Sequence, residues 1–77
     1  MFWLLQVLRW KDLKIFDTGD KVKEASILLA KHGSSLKPTE EFTIAMRSAV
    51  KAFQKKQGLE QTGIINKKTW KALHKNT

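Results

Sequence analysis

The chain has 77 residues, 42% of them hydrophobic and 9% aromatic, which predicts one small domain with a compact core rather than a disordered chain. It contains no cysteine, and this excludes disulfides, thiolate-bound zinc and thiol catalysis. Fifteen Lys and Arg against seven Asp and Glu give a net charge of +8, so the surface should attract polyanions, or simply stay soluble. Most of these cations are lysines, which favour diffuse attraction over base readout.

The first ten residues, MFWLLQVLRW, predict a short amphipathic helix whose apolar face holds Trp3, Leu4, Val7 and Leu8. The segment lacks the charged start and the cleavage site of a signal peptide, and it is far shorter than the roughly 18 apolar residues of a membrane span. We expect residues 1–12 to pack on a domain formed by residues 13–77. An interfacial or partner-binding tail is the alternative.

A first core helix is predicted over about residues 20–32. Its buried stripe consists of Val22, Ala25, Leu28 and Leu29. Asp17, Thr18 and Asp20 can accept hydrogen bonds from the free amides at its start. Gly33 suits the left-handed conformation that ends a helix. The loop SSLKP (34–38) follows, because Pro38 disfavours helical geometry in the residue before it.

The longest periodic segment lies in the middle of the chain. Its apolar stripe consists of Phe42, Met46, Ala49, Val50 and Phe53. Thr39 or Thr43 can cap the start of this helix, and the sequence leaves that choice open. Gly58 should end it, with Leu59 folding back onto the stripe.

A last short helix follows the polar loop over residues 59–65. Asn66 is a good N-cap, and Ile65 before it can pack on Trp70, a staple that sets the angle of the helix. The helix should end near Lys75. No segment alternates as a strand does, so the predicted fold class is all-α: three helices with an extra short N-terminal helix.

No residue pattern indicates an active site. The serines lie outside any G-x-S-x-G turn, and the histidines do not form a helical metal-binding pair. Glu40 and Glu41 are adjacent and would point about 100° apart on a helix. His32 is expected to cap the first helix, and His74 is expected to be solvated. We therefore expect no catalytic residue, no metal site and no cofactor.

Polar and cationic residues gather on one flank of the long helix. Their spacing indicates a groove wall that contacts an anionic ligand, although an ordinary solvated face explains any single lysine equally well. The series continues on the last helix, which begins with a lysine. The candidate ligand-binding residues are Thr43, Arg47, Lys51, Gln54 and Lys67.

Three segments, TGDKVKEASILLAKHG, SAVKAFQKKQGL and TGIINKKTWKAL, resemble the peptidoglycan-binding domain found beside bacterial and phage cell-wall hydrolases. The similarity covers about residues 13–75, and its second half is specific. The matching positions are Gly19, Val22, Leu29, Gly33, Ala49, Val50, Phe53, Gln54, Gly58, Leu59, Gly63, Thr69, Trp70 and Leu73. The resemblance implies a non-catalytic three-helix module that holds an enzyme or particle component on the wall. It also implies peptidoglycan or another anionic wall polymer as ligand and a cell-wall or extracellular location.

The first half departs from the family pattern. Ala25-Ser26 stands in place of the family's Leu-Gln pair, and the first D-G loop is replaced. The positions of that loop, and of the glycine and threonine that follow it in the family, hold Thr39, Glu40, Thr43 and Met46 here. Because Ala25 leaves less volume in the core, we expect an apolar residue of the N-terminal segment to fill the gap. The candidates are Trp3, Leu4 and Val7.

Two other functions stay open from the sequence. One is a sequence-neutral nucleic-acid binder driven by lysines. A helix-turn-helix fits poorly, because its turn of about three or four residues is shorter than the 59–65 loop. The other is a protein–protein interaction module that uses the N-terminal aromatic helix, with dimerisation through residues 1–10. A monomer is expected otherwise.

Overall fold

A computed structural model describes residues 11–75. Within them lie three α-helices: α1 (Asp20–Lys31), α2 (Ile44–Lys56) and α3 (Lys67–Lys75). This part of the chain holds no strand, and none of its helices is long and apolar enough to cross a membrane. The all-α class and the three helices are confirmed. The expected N-terminal helix, its core-filling role and its part in dimerisation fall in residues 1–10, outside the described residues.

Both longer helices end as their glycines predict. Gly33 has a φ of 103° and Gly58 a φ of 71°, each in the left-handed region. At the end of α2, the Leu59 N–H donates to the Gln54 carbonyl at 2.8 Å, which closes the last turn. An equivalent bond, together with the glycine, closes α1.

Side-chain caps begin α2 and α3. The Thr43 hydroxyl accepts a hydrogen bond from the Met46 amide at 3.1 Å, so Thr43, and not Thr39, starts α2. The Asn66 side chain accepts from the Thr69 amide at 2.9 Å, as predicted. Each cap satisfies an amide that has no partner within its own helix.

The start of α1 differs from the prediction. Its N-cap position is Gly19, and no side chain caps the first turn. The Asp17 carboxylate accepts instead from the Lys14 amide at 2.9 Å, within the preceding connector. The prediction of an acidic cap was wrong because Asp17 lies in a tight turn that uses its carboxylate locally.

The core lies where α1 packs against α2 and α3. Trp70 and Ile65, the two residues predicted to pack together at the start of α3, are both fully buried in it. Burying an aromatic ring of this size contributes a large share of the apolar stabilisation available to a small domain. The complete buried set is Val22, Ala25, Leu28, Leu29, Phe42, Met46, Val50, Phe53, Ile65, Trp70 and Leu73.

Two histidines connect α1 with α3. His32 occupies the C-cap position of α1, and its Nε2 lies 2.9 Å from the Leu73 carbonyl oxygen. His74 was expected to be solvated, and this was wrong. Its ring is half-buried, 4.6 Å from the Trp70 ring between centroids, with Nε2 3.3 Å from the Glu24 carboxylate. The helix continues through this position, which turns the side chain back onto α1.

The connector before α1 contains a tight turn over residues 14–17, closed by a 3.0 Å bond from the Asp17 amide to the Lys14 carbonyl. Phe16 in this turn has a φ of 75°. A left-handed backbone costs about 1–2 kcal/mol for a residue with a Cβ. The Phe16 amide donates to the Phe42 carbonyl at 2.9 Å, which ties the turn to the start of α2.

Candidate functional site

Arg47 and Lys51 lie together on one flank of α2, above Gly63 of the 59–65 loop. A methyl group at Gly63 would lie 2.9 Å from Cγ of Arg47 and 3.3 Å from Cε of Lys51. Such close approach means that the aliphatic stems of both side chains rest on the glycine backbone, with no room for a larger residue. We refer to Arg47, Lys51 and the underlying Gly63 as the basic flank.

Gln54 holds the loop beneath the basic flank. Its side chain is fully buried, and its oxygen accepts from the Gly63 amide at 3.0 Å. Its nitrogen donates to the Ile64 carbonyl at 2.9 Å and lies 3.0 Å from the Thr69 hydroxyl. One amide therefore satisfies backbone and hydroxyl groups of the loop and of α3, which fixes the loop against α2.

The cations of the basic flank lack acidic partners in the described part of the chain. Ion pairs there join Glu24 to Lys21 at 3.7 Å and to His74 at 3.3 Å, on another side of the domain. Arg47 is exposed and Lys51 is half-buried. Because neither charge is neutralised nearby, both can meet an anionic ligand without first breaking a salt bridge.

The remaining predicted site residues fall in three places. Thr43 is half-buried at the start of the same flank, where its hydroxyl caps α2, and the Arg47 amide donates to its carbonyl at 3.0 Å. Gln54 lies behind the flank rather than on its surface. Lys67 is exposed at the first position of α3, beside Glu60 in a separate shallow depression. The structure thus brings Arg47 and Lys51 together, and Thr43 joins them at one end.

The opposite flank of α2 carries a groove that the sequence reasoning did not identify. It has a volume of about 480 Å³ and lies between the end of α1, the 33–36 loop and α2. Small side chains form its α2 wall, and Lys56 stands at its edge. The sequence signal that could have predicted this groove is a row of small residues at helical spacing. The wall consists of Ala45, Ser48, Ala49 and Ala52.

The exposed lysines of α3 border a recess of about 660 Å³ next to Leu59. Lys68, Lys71 and Lys75 line it, so this surface is cationic as well. Within residues 11–75, no group of His, Asp and Glu is arranged to hold a metal ion. The geometry therefore offers cationic and hydrogen-bonding surfaces for a ligand.

Comparison with known families agrees with this architecture. The family model described as "Putative peptidoglycan binding domain" matches residues 18–73, which include all three helices except the last two residues of α3. No curated protein sequence matches the chain significantly. The chain belongs to the peptidoglycan-binding domain family.

Solved structures with the same fold include parts of larger proteins. A peptidoglycan-binding protein from Clostridioides difficile, solved with glutamine hydroxamate, is 36% identical, with a TM-score of 0.79 over 82% of this chain. The endolysin of Burkholderia AP3 phage is 34% identical, with a TM-score of 0.82 over 87% of this chain. The chain spans 40% of the first protein and 26% of the second.

The SleB N-terminal domain is similar over nearly its whole length. It is 27% identical, with a TM-score of 0.81, and the match covers 84% of this chain and 90% of that one. The three-helix arrangement expected from the resemblance is therefore found both as part of larger proteins and as a separately solved domain.

Proposed function

We propose that this chain is a non-catalytic module that binds peptidoglycan, or an anionic polymer attached to it, and so holds an enzyme or particle component at the bacterial cell wall. Its family supports the ligand class. The observation that carries the choice of surface is the basic flank, where Arg47 and Lys51 are held over Gly63 with no carboxylate partner among the described residues. A module of this kind acts outside the cytoplasm, at the wall or in the periplasm.

The chemistry of the wall suits this surface. Its stem peptides carry carboxylates, and in many bacteria teichoic acids add phosphates. Arg47 presents a planar guanidinium that can bind two oxygens of one carboxylate or phosphate, and Lys51 adds a point charge one helical turn away. The stems of both side chains are supported by Gly63, so less side-chain entropy is lost when the ligand binds.

The predicted site residues then have different roles. Arg47 and Lys51 contact the ligand, and Thr43 lies at the end of the same surface. Gln54 is a positioning residue, because its buried amide holds the loop on which the two cations rest. Lys67 contributes to the long-range field of the domain from a neighbouring surface.

The test is sedimentation of the purified chain with cell-wall sacculi, prepared with and without teichoic acids. Wild-type protein should pellet, and the double variant Arg47→Glu/Lys51→Glu should stay largely in the supernatant. The matched control is Lys23→Glu/Lys31→Glu, which changes net charge equally at two exposed positions of α1. Loss of binding in both variants would mean that overall charge, and not the basic flank, attracts the wall.

The nucleic-acid alternative is tested in the same assay by adding duplex DNA as competitor. Binding to DNA driven by lysines should weaken steeply with salt and should not depend on the basic flank more than on the α3 lysines. Failure of the wild-type chain to pellet with either wall preparation would overturn the proposed function.

A further inference from the structure

Phe16 combines two unusual features. Its side chain is 77% exposed, and its backbone has a φ of 75°. At the other described positions with a clearly positive φ, the residue is glycine: Gly19, Gly33, Gly58 and Gly63. A glycine at position 16 would relieve the strain of the turn and would expose less apolar surface.

Within residues 11–75, the core does not include the Phe16 ring. The contacts that hold this turn come from the main chain and from the Asp17 carboxylate, and glycine could make the same main-chain bonds. The ring is absent from the buried core and from the apolar residues packed around it. The side chain thus destabilises the turn without helping to bury the core, which points to a role in contact with another molecule.

The surroundings of the ring indicate the chemistry of that molecule. Phe16 borders a depression of about 330 Å³ whose other walls are mostly polar. Two carboxylates, a hydroxyl and one ammonium group line it, from Asp12, Asp17, Thr18 and Lys11. The two carboxylates outnumber the single cation of this lining, so the depression does not favour nucleic acid, and polar walls suit neither a lipid nor an apolar helix. An aromatic face beside hydrogen-bond acceptors suits a sugar, whose C–H groups pack on the ring while its hydroxyls donate to oxygen.

The turn also lies next to the elements that carry the basic flank. Leu13 and Ile65 exchange two backbone hydrogen bonds, of 3.1 and 2.9 Å, which ties the connector to the loop that holds Gly63. Three residues later, Phe16 is bonded to the Phe42 carbonyl, directly before the Thr43 cap of α2. The connector is thus bonded both to the loop beneath the basic flank and to the residue before Thr43, at one end of the flank.

We propose that Phe16 is a stacking platform for a sugar ring of the peptidoglycan glycan strand, with Asp12 and Asp17 accepting hydrogen bonds from its hydroxyls. This inference rests on the proposed function and adds a carbohydrate subsite to it. The anionic groups of the wall then meet the basic flank, and the neutral sugar ring meets Phe16.

The experiment compares Phe16→Gly, Phe16→Leu and Phe16→Tyr in the full chain, with binding and thermal unfolding measured for each. Binding is measured to sacculi and to glycan strands freed of stem peptides by an amidase. Phe16→Gly should raise Tm by about 4 °C or more, because the strain is removed, and should weaken glycan binding about five- to tenfold. Phe16→Tyr should retain binding, and Phe16→Leu should lose it despite its similar apolar area.

Ile27→Ala is the matched control, since Ile27 is an exposed apolar residue that does not line the depression. It should leave glycan binding unchanged. Wild-type protein that fails to pellet with sacculi would overturn the proposed function itself. If wild type pellets but fails to bind peptide-free glycan, or if Phe16→Gly binds glycan as well as wild type, only the Phe16 inference is overturned. A lower Tm for Phe16→Gly would also overturn it, by showing that the ring packs against this chain.

Discussion

The 59–65 loop and the 14–17 turn are neighbours, and they differ in how residue type matches backbone conformation. Backbone hydrogen bonds between Leu13 and Ile65 join the two regions, and each holds one residue with a left-handed backbone, at a φ of 77° for Gly63 and 75° for Phe16. Gly63 is buried, and the polar groups around it are satisfied by Gln54. Phe16 is exposed, and its turn is held by backbone bonds and one aspartate.

The comparison separates a region that stabilises the fold from a region that exposes a side chain to solvent. In the loop, glycine is the residue type that a left-handed backbone favours, and the buried Gln54 side chain satisfies the polar groups of the loop. The loop therefore stabilises the fold and supports the cations above it. In the turn, a phenylalanine occupies a left-handed backbone conformation that favours glycine, and its large ring is exposed to solvent. A strained, exposed aromatic beside a well-satisfied loop is the arrangement expected where contact with a ligand outweighs the stability of the free domain.

The largest effect is expected for Gln54→Ala. Removing this amide leaves the Gly63 amide and the Thr69 hydroxyl without their buried partner, which should reduce the free energy of unfolding by about 3 kcal/mol. Thermal or urea unfolding followed by circular dichroism measures it. The control is Gln57→Ala, an exposed glutamine at the end of the same helix, which should change stability by less than about 0.5 kcal/mol. Equal effects of the two changes would contradict the role assigned to Gln54.

Gly63→Ala should destabilise by about 2 kcal/mol, through backbone strain and through the approach of its methyl group to Arg47. Gly58→Ala separates the two causes, because Gly58 also has a positive φ but a methyl group added there would meet open space. It should lose only about 1 kcal/mol. Gly63→Ala should also weaken sedimentation with sacculi, and unchanged binding would show that the loop does not position Arg47.

Asn66→Ala should lower the free energy of unfolding by about 1 kcal/mol, because the Thr69 amide loses the side chain that caps α3. Asn66→Asp keeps an accepting oxygen and should stay close to wild type. Urea unfolding compares the two variants, and a loss of equal size in both would show that the cap itself is unimportant.

The smallest effect is expected in the turn. Asp17→Ala removes the bond from the Lys14 amide, an exposed contact that water can replace, so the loss should be only about 0.5 kcal/mol. Asp12→Ala, a nearby exposed carboxylate, is the control and should be neutral in stability. If Asp17→Ala lowered the free energy of unfolding as much as Gln54→Ala, the turn would contribute as much to stability as the loop, which would contradict the comparison of the two regions.

Much of the fold was predictable because its signals are local. Gly33 and Gly58 end helices through their own backbone conformation, and Asn66 caps α3 through a residue three positions away. The apolar stripes predicted which face of each helix is buried. The choice between Thr39 and Thr43 was not predictable, because both offer a hydroxyl before an apolar stripe and only the packed structure selects one.

The candidate site was less predictable. Helical spacing placed Arg47, Lys51 and Gln54 on one flank, but it could not show that the 59–65 loop folds over Gln54 and leaves the two cations outside. His74 was misjudged for a related reason, because its Nε2 meets the carboxylate of Glu24, which lies on α1 and is distant in sequence. Helical periodicity gives the direction of a side chain and not what lies opposite it.

The sequence by itself determined the three helices, their glycine stops, the Asn66 cap, the family of the domain and its excess of positive charge, because each follows from residue type and short spacing. Only the tertiary structure decided which charges share a surface, which polar side chain is buried beneath them and where a phenylalanine is held in a left-handed turn. Those properties depend on contacts between segments that are far apart in the chain, and their energies are set by packing and by the satisfaction of buried polar groups.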